Sequence, residues 1–202
     1  MNTTQSKAGG GASKSSVKVA INGLGRIGRA AFKILLETPE LDLVAVNDLV
    51  PEDNLAYMLN FDSVYGRYEK QVEAGDGILS AEGRQYQVLH EKDPAQLPWK
   101  SLGVEIVFEC TGFFSTRESL SKHIQAGAKH AVLSAPAKGD GIDTVVHGVN
   151  KPNESSPDIV SCASCTTNCI TPVVEVMGRR IGVKKANMTT IHAYTSTQSI
   201  VD

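Results

Sequence analysis

The feature that most constrains the fold is a glycine-rich turn between an apolar strand and a helix. Three glycines follow the apolar run of residues 17–21 in G-x-G-x-x-G spacing, namely Gly23, Gly25 and Gly28. Helical periodicity then extends over residues 27–37, and a second apolar run at 41–46 leads to Asp48. A strand, this turn, a helix and an acidic residue roughly 20 positions later form the dinucleotide-binding pattern.

Each residue of this pattern has a physical role in holding a dinucleotide. Gly23 permits a tight turn, Gly25 lets the backbone approach a pyrophosphate, and Gly28 lets the helix pack closely on the strand. The N-terminus of the helix offers unpaired N–H groups and a positive dipole end to the phosphates. Asp48 can accept hydrogen bonds from the adenosine ribose and would repel a 2′-phosphate, which favours NAD over NADP. The alternative is a glycine-rich turn that binds no ligand.

The rest of the chain continues the alternation of apolar strands with helices. Further strands are predicted at 104–109, 131–134, 144–146 and 159–161. Further helices are predicted at 52–60, from Ser115 with Glu118 completing a capping box, and around 170–181. Extended hairpins are predicted over 69–89, with turns at 75–77 and 82–83. Strands separated by helices predict an α/β fold, here a Rossmann-type, doubly wound, mostly parallel sheet.

Three segments are predicted along the chain. Residues 1–16 are polar and rich in Ser, Gly, Ala and Lys, and we expect a disordered tail there. Residues 17–164 are expected to form the dinucleotide-binding domain. Residues 165–202 are expected to start an incomplete α+β catalytic domain, because one helix and a strand at 186–194 cannot bury their own apolar faces. Pro172 is expected in the first turn of that helix, where proline is tolerated.

The composition is that of an ordinary globular protein and excludes several classes of partner. Hydrophobic residues make up 41% of the chain and the formal net charge is -2, so neither nucleic acid nor an anionic membrane is expected as a partner. No apolar run reaches the length of a membrane span. Four cysteines do not make a disulfide framework, and the cluster at 162–169 indicates chemistry in a reducing compartment. We therefore expect a cytoplasmic protein.

The cysteine cluster predicts a nucleophile. Cys165 falls near the start of a helix, where the helix dipole and unpaired N–H groups stabilise a thiolate. His192 lies on the following predicted strand, and a strand returning beside the helix could bring the imidazole to the sulfur. A thiolate–imidazolium pair would be a nucleophile at neutral pH. Cys169, one helical turn further on, is interpreted as a packing residue.

Other readings of these residues stay open at this point. A cysteine is often a small buried hydrophobic residue. Cys162 and Cys165 also fit the C-x-x-C spacing of redox motifs, and together with Cys169 and His192 they could be imagined as zinc ligands. No second cysteine knuckle follows, so zinc is disfavoured and no metal is expected.

Taken together, these motifs resemble those of the phosphorylating glyceraldehyde-3-phosphate dehydrogenases. The resemblance runs from about residue 17 to residue 202, and the cysteine motif with its spacing to the histidine is specific. The segments that carry it are 22–29, 47–48, 65–67, 109–112, 134–136, 148–150, 164–169 and 192–195.

The resemblance implies a role for each matching position. Cys165 would attack the aldehyde, and His192 would activate the thiol and take up the hydroxyl proton. The residues expected to contact NAD are Gly23, Gly25, Arg26, Ile27, Gly28, Asp48, Lys92, Thr111, Gly112, Phe113 and Ser134. The residues expected to bind phosphate groups of the substrates are Ser164, Thr166 and Thr195.

The resemblance also implies the reaction and the partners. The substrates would be glyceraldehyde 3-phosphate and inorganic phosphate, the product 1,3-bisphosphoglycerate, the pathway glycolysis, and the assembly a homotetramer. Two alternatives are a non-catalytic NAD-binding module and a dehydrogenase of a related phosphorylated aldehyde, such as erythrose 4-phosphate. Members of the family continue well beyond Asp202, so we expect the chain to be partial and poorly stable alone.

Overall fold

The computed structural model describes residues 16–153 and 158–193 of the chain. Its strands are β1 (Val17–Asn22), β2 (Leu41–Asn47), β3 (Phe61–Asp62), β4 (Gly66–Arg67), β5 (Val72–Gly75), β6 (Ile78–Ala81), β7 (Arg84–Leu89), β8 (Ile106–Glu109), β9 (His130–Leu133), β10 (Asp143–Thr144) and β11 (Ile159–Ser161). Its helices are α1 (Arg26–Leu36), α2 (Glu52–Asn60), α3 (Trp99–Leu102), α4 (Arg117–Gln125) and α5 (Cys165–Arg180), with a 3-10 turn at Pro94–Gln96.

A nine-stranded sheet organises the described residues, in the order β10-β11-β9-β8-β1-β2-β7-β6-β5. The strands from β10 to β7 in this order pair in parallel. From β1 the chain first moves outward through β2, and later returns to the other side of β1 as β8. This reversal opens a crevice at the carboxyl ends of β1 and β8, which is where such sheets bind ligands. The predicted Rossmann-type sheet is confirmed.

The apolar strands are explained by burial on both faces of the sheet. Side chains alternate along β1, so Val19 and Ile21 join one core cluster while Ala20 joins another. Phe32 of α1 packs in the first cluster, and Trp99 of α3 packs in the second. A parallel sheet covered by helices on both faces needs such continuous apolar strands.

The predicted hairpins are also observed. Strands β5, β6 and β7 form an antiparallel meander at one edge of the sheet. The two tight turns use Asp76-Gly77 and Glu82-Gly83, and all four residues have positive φ. Two consecutive residues with positive φ match the right-handed twist of a hairpin, which is why glycine occupies the second position of each turn.

The predicted start of α4 was one residue too early. Thr116, not Ser115, is the N-cap, and its side chain accepts from the backbone N–H of Ser119. Ser119, not Glu118, completes the capping box by returning a side-chain bond to the N-cap backbone. Ser115 is instead buried, and its carbonyl accepts from the N–H of Lys138. The sequence has two consecutive hydroxyl residues, Ser115 and Thr116, that could each cap the helix. The backbone of Ser115 pairs with Lys138 instead, and Thr116 takes the N-cap position.

The predictions for the region after β11 were wrong in two respects. Helix α5 begins at Cys165, so Pro172 lies in its interior and not in its first turn. Residues 186–193 form no strand and are exposed, while residue 194 lies outside the described residues. An extended segment becomes a strand only when a neighbouring strand pairs with its backbone groups, and no described strand lies beside this one.

Within the described residues, none of the helices combines the length and the apolar character required to traverse a lipid bilayer.

Candidate active site

A cavity of about 630 Å³ lies at the carboxyl ends of β1, β2 and β8. Its lining includes six of the predicted cofactor-contacting residues, namely Gly23, Gly25, Asp48, Lys92, Thr111 and Phe113. Asn22, Asn47 and Glu91 contribute polar groups to the same wall. The topology therefore brings together residues that are far apart in sequence, at the crevice expected from the strand order.

The three glycines of the motif are required for different reasons. Gly23 has φ +93°, and a Cβ there would lie 2.7 Å from the backbone nitrogen of Thr111. A Cβ at Gly28 would lie 1.9 Å from the carbonyl oxygen of Gly23, so the helix can approach β1 only with glycine at this position. Gly25, in contrast, has nothing within 4 Å of where its Cβ would be.

The open space at Gly25 fits a phosphate group. Gly25 is the N-cap of α1, and no side chain caps the helix. The N–H groups of the first helical turn have no partner within the helix, and they carry the positive end of its dipole. The space in front of this N-terminus and its polarity thus suit the pyrophosphate of a dinucleotide.

The Asp48 carboxylate is fixed at the edge of the cavity. One oxygen accepts from the backbone N–H of Leu24 at 2.6 Å, and the other accepts from that of Val50 at 2.9 Å. These bonds join the end of β2 to the glycine turn and hold the carboxylate in one orientation. Each oxygen retains a lone pair that could accept from a ribose hydroxyl.

The other predicted cofactor residues lie around the cavity without lining it. Arg26 forms an ion pair with Asp62 at 3.3 Å, and the Ile27 side chain is exposed. Gly112 has φ +76° and allows the loop after β8 to turn. Ser134 follows β9, where its backbone N–H donates to the carbonyl oxygen of Glu109 at 3.0 Å. The sequence resemblance gives no distance between these residues and a cofactor, and their roles stay predictions.

Helix α5 positions a thiol beside an imidazole. Cys165 is the first residue of the helix, and its Sγ lies 3.2 Å from Nε2 of His192. Nδ1 of His192 contacts the carbonyl oxygen of Ala193, which can only accept, so this nitrogen carries a proton. The thiol and Nε2 then share one further proton, as either a neutral pair or a thiolate–imidazolium pair.

The surroundings favour the charged pair. The hydrogen bond to His192 is the largest cause that lowers the pKa of Cys165, and the N–H and hydroxyl of Thr166 lower it further. The same bond raises the pKa of His192 above its ordinary value. Because α5 follows the parallel strand β11, this pair lies at the same edge of the sheet as the cavity.

The hydroxyl residues beside Cys165 have distinct surroundings. Ser164 is the N-cap of α5, and its Oγ accepts from the N–H of Thr167 at 3.0 Å. Thr166 lines the small cavity that also contains Cys165 and His192. Thr195 lies outside the described residues. The predicted phosphate-binding roles are not tested by these contacts.

The remaining cysteines differ from Cys165. Burial raises the pKa of the Cys110 thiol to about 11, and burial also raises the pKa of Cys162. Cys169 was interpreted as a packing residue, but its side chain is exposed because α5 buries none of its residues. All four cysteines are free thiols.

A buried polar network that was not predicted from the sequence lies behind the cavity. Glu109, at the end of β8, is fully buried and bonds Asn22, Thr111 and His123, while His123 also bonds Trp99. We call these five residues the Glu109 network. A charged residue that ends an otherwise apolar strand at the ligand-binding edge was the available signal.

Comparison with protein families agrees with this geometry. Residues 17–117 match the family described as "Glyceraldehyde 3-phosphate dehydrogenase, NAD binding domain", and residues 164–202 match "Glyceraldehyde 3-phosphate dehydrogenase, C-terminal domain". The chain belongs to the glyceraldehyde-3-phosphate dehydrogenase family. Residues 17–117 are therefore an NAD-binding domain of this family, and the second domain of the glyceraldehyde-3-phosphate dehydrogenases is represented only in part.

Curated glyceraldehyde-3-phosphate dehydrogenases show the same relationship. The protein of Clostridium pasteurianum is 45% identical over 186 residues, which are 92% of this chain and 55% of that protein. Glyceraldehyde-3-phosphate dehydrogenase 1 of Bacillus subtilis is 47% identical over 189 residues, covering 93% and 56% of the two chains. The Thermotoga maritima protein is 45% identical over 189 residues, covering 92% and 56%. The chain thus spans about half the length of the curated relatives it matches.

Proposed function

We propose that this chain carries the NAD site and the reactive cysteine of an enzyme that oxidises and phosphorylates glyceraldehyde 3-phosphate. The observation that carries the proposal is the 3.2 Å contact between Cys165 Sγ and His192 Nε2 at the N-terminus of α5. A nucleophile and a base in hydrogen-bond contact are what covalent catalysis on an aldehyde requires. The division into a dinucleotide-binding domain at 17–164 and a catalytic domain from 165 belongs to the same proposal.

NAD would lie in the cavity at the carboxyl ends of β1, β2 and β8. The N–H groups at the start of α1 would hold its pyrophosphate, and Asp48 would accept from its adenosine ribose. Lys92, Thr111, Gly112, Phe113 and Ser134 would border the rest. When bound, NAD accepts the hydride that the oxidation releases.

In the first half of the reaction, Cys165 attacks the aldehyde carbon. The thiolate forms a C–S bond, and the resulting oxyanion takes the proton of the His192 imidazolium to give a thiohemiacetal. His192, now neutral at Nε2, accepts the hydroxyl proton back as hydride leaves the same carbon, and a thioester on Cys165 results. The exposed position of both side chains leaves the sulfur accessible to an aldehyde.

In the second half, inorganic phosphate attacks the thioester carbonyl. The C–S bond breaks, the Cys165 thiolate leaves, and an acyl phosphate is released, which regenerates the thiolate–imidazolium pair. Ser164 and Thr166 are proposed to bind the attacking phosphate, and Thr195 the phosphate of the substrate. The covalent thioester intermediate thus divides one difficult reaction into two easier steps.

The assembly and the compartment are proposed on the family resemblance alone. We propose a homotetramer in the cytoplasm that acts in glycolysis. Erythrose 4-phosphate is the competing substrate, and rates measured with both aldehydes would distinguish the two.

Turnover tests the proposed reaction. Purified protein is mixed with NAD, glyceraldehyde 3-phosphate and inorganic phosphate, and reduced nicotinamide is followed by absorbance. We expect phosphate-dependent turnover that is lost in Cys165→Ser and retained in Cys162→Ser, the matched control. NAD binding without any turnover would contradict the catalytic proposal and favour a non-catalytic NAD-binding module.

Substitution of Asp48 tests the proposed preference for NAD over NADP. Asp48→Asn removes the charge that binds the ribose and repels a 2′-phosphate, so NAD affinity should fall while NADP affinity rises relative to it. Asp53→Asn removes an exposed charge from α2 and is the control. Calorimetric titration of both variants with NAD and NADP measures the ratio, and an unchanged ratio in Asp48→Asn would contradict the assignment.

A further inference from the structure

A buried carboxylate lies behind the residues that line the proposed NAD site. Glu109 is fully buried at the end of β8. One carboxylate oxygen accepts from Nδ2 of Asn22 at 2.6 Å and contacts Nε2 of His123 at 3.0 Å. The other accepts from the backbone N–H of Thr111 at 2.7 Å and from the Thr111 hydroxyl. Four hydrogen-bond contacts to its two oxygens hold this carboxylate in a single orientation.

Trp99 fixes the tautomer of His123. The indole Nε1 can only donate, and it lies 3.1 Å from Nδ1 of His123. Nδ1 must therefore accept, so in the neutral ring the proton is on Nε2, which faces Glu109. His123 and Trp99 are both fully buried, which keeps water from replacing either bond. The contact between Trp99 of α3 and His123 of α4 thus selects the tautomer of His123 that donates to the Glu109 carboxylate.

The network ends at the cavity. The Thr111 hydroxyl donates to Glu109 and accepts from the backbone N–H of Phe113 at 3.1 Å. Asn22, held by the other carboxylate oxygen, accepts from Nδ2 of Asn47 at 2.7 Å. Thr111, Phe113, Asn22 and Asn47 all line the cavity. The buried carboxyl group of Glu109 therefore joins the loop after β8 to the end of β1, and through Asn22 to the end of β2.

We propose that Glu109 and His123 are positioning residues for the dinucleotide, acting on it through Thr111. They hold the loop of residues 111–113 against the end of β1 in the shape that NAD binding requires. Burying a carboxylate carries a desolvation cost that an apolar pair would avoid, so a role in stability alone does not account for the network. The inference rests on the proposed NAD site and adds two residues that do not themselves line it.

The first test compares two substitutions of His123. His123→Leu removes the donor to Glu109, whereas His123→Gln retains an amide that can donate to it. We expect His123→Leu to weaken NAD binding about tenfold, as for the loss of one bond to a charged group, and His123→Gln to restore most of the affinity. Leu120→Val, a buried change on the same face of α4, should lower the melting temperature without changing NAD affinity.

The second test asks whether His123 acts through Thr111. Thr111→Val removes the hydroxyl bond to Glu109 and leaves only the bond from the backbone N–H, so adding His123→Leu should weaken NAD binding by less than it does in the wild-type background. Fully additive losses would overturn the proposed route. Thr111→Ser keeps the hydroxyl bond to Glu109, so it should bind NAD more tightly than Thr111→Val, and this comparison holds even if His123→Leu does not fold. Equal affinities of Thr111→Ser and Thr111→Val would overturn the proposal.

A spectroscopic measurement complements the affinities. The ¹⁵N spectrum of His123 in the wild-type protein should show a protonated Nε2 and an unprotonated Nδ1, and the reverse pattern would overturn the network as described. Failure of the inference is distinguishable from failure of the proposed function. If the wild-type protein binds NAD and the variants bind it equally well, only the positioning role is contradicted. If the wild-type protein binds no NAD, both the positioning role and the proposed function are contradicted.

Discussion

At the scale of single residues, the reactivity of Cys165 follows from where the chain places one thiol. Cysteine at the first position of a helix meets the positive end of the dipole, and His192 supplies a hydrogen bond from the other side. Cys110, only partly exposed at the end of β8, has the opposite surroundings and a pKa of about 11. The same residue type is thus reactive or inert according to its neighbours.

This contrast predicts selective alkylation. Because the pKa of Cys165 is lowered while that of Cys110 is raised, Cys165 should carry the larger thiolate fraction at any given pH, and iodoacetamide should modify it long before Cys110. His192→Asn removes the main cause of the shift and should move the pH–rate profile of Cys165 to higher pH. His147→Asn, at an exposed loop position, is the control and should leave the profile unchanged. Peptide mass spectrometry identifies the modified residue, and a profile insensitive to His192→Asn would contradict the pair.

The glycine motif gives a second prediction at this scale. Gly28→Ala places a Cβ 1.9 Å from the Gly23 carbonyl and should cost about 1–3 kcal/mol of stability through overpacking. Gly25→Ala meets nothing within 4 Å, so stability should change little while NAD affinity falls. Denaturant unfolding and calorimetry separate the two effects, and a Gly25→Ala variant with wild-type NAD affinity would argue against a pyrophosphate at that position.

At the scale of elements, the start of α4 can be tested directly. Thr116 and Ser119 exchange side-chain bonds with each other's backbone, so Thr116→Ala should cost about 1 kcal/mol of stability. Glu118→Ala, which the sequence alone had placed in the capping box, should cost only a few tenths of a kcal/mol through the helix dipole. Urea unfolding of both variants measures the difference, and a larger effect of Glu118→Ala would contradict the assigned cap.

Elements with strong local signals could be predicted from the sequence, and elements that depend on distant partners could not. Helix α2 and strand β11 were predicted with the bounds that the structure has, because their apolar periodicity and flanking residues are local. The strand expected at 186–194 needed a neighbour to pair with, which periodicity cannot supply. The place of Pro172 within α5 was also mispredicted, because it depends on where the helix begins, and the N-cap is Ser164.

The candidate site shows this division again. The glycines, Asp48, Cys165 and His192 could be found because spacing and residue type carry their chemistry. The Glu109 network could not, because its members come from two strand ends, the loop after β8 and two helices, which only the sheet order brings together. Nothing next to His123 in the sequence indicated the Glu109 carboxylate that its ring contacts.

At the scale of the whole molecule, the described residues divide into a well-buried sheet and an exposed helix. Val19, Ala20 and Ile21 of β1 are fully buried, whereas α5 buries none of its residues. Its apolar side chains, including Val173 and Met177, are about half exposed.

Native-state hydrogen exchange should reveal this division. Amides of β1 and β8 should open only by global unfolding, while those of α5 should exchange on the order of 100-fold faster through local opening. Mass spectrometry of peptides covering both regions gives the rates. Equal protection of α5 and β1 would show that the helix is buried against something in solution.

We propose above all that Cys165 forms a covalent thioester in an NAD-dependent oxidation, and this thioester can be trapped when phosphate is withheld. The protein is incubated with NAD and glyceraldehyde 3-phosphate without inorganic phosphate, quenched in acid and analysed by peptide mass spectrometry. We expect a 3-phosphoglyceroyl adduct on the peptide that contains Cys165, formed together with reduced nicotinamide and discharged when phosphate is added. Reduced nicotinamide formed with no adduct, or with the adduct on another cysteine, would contradict it.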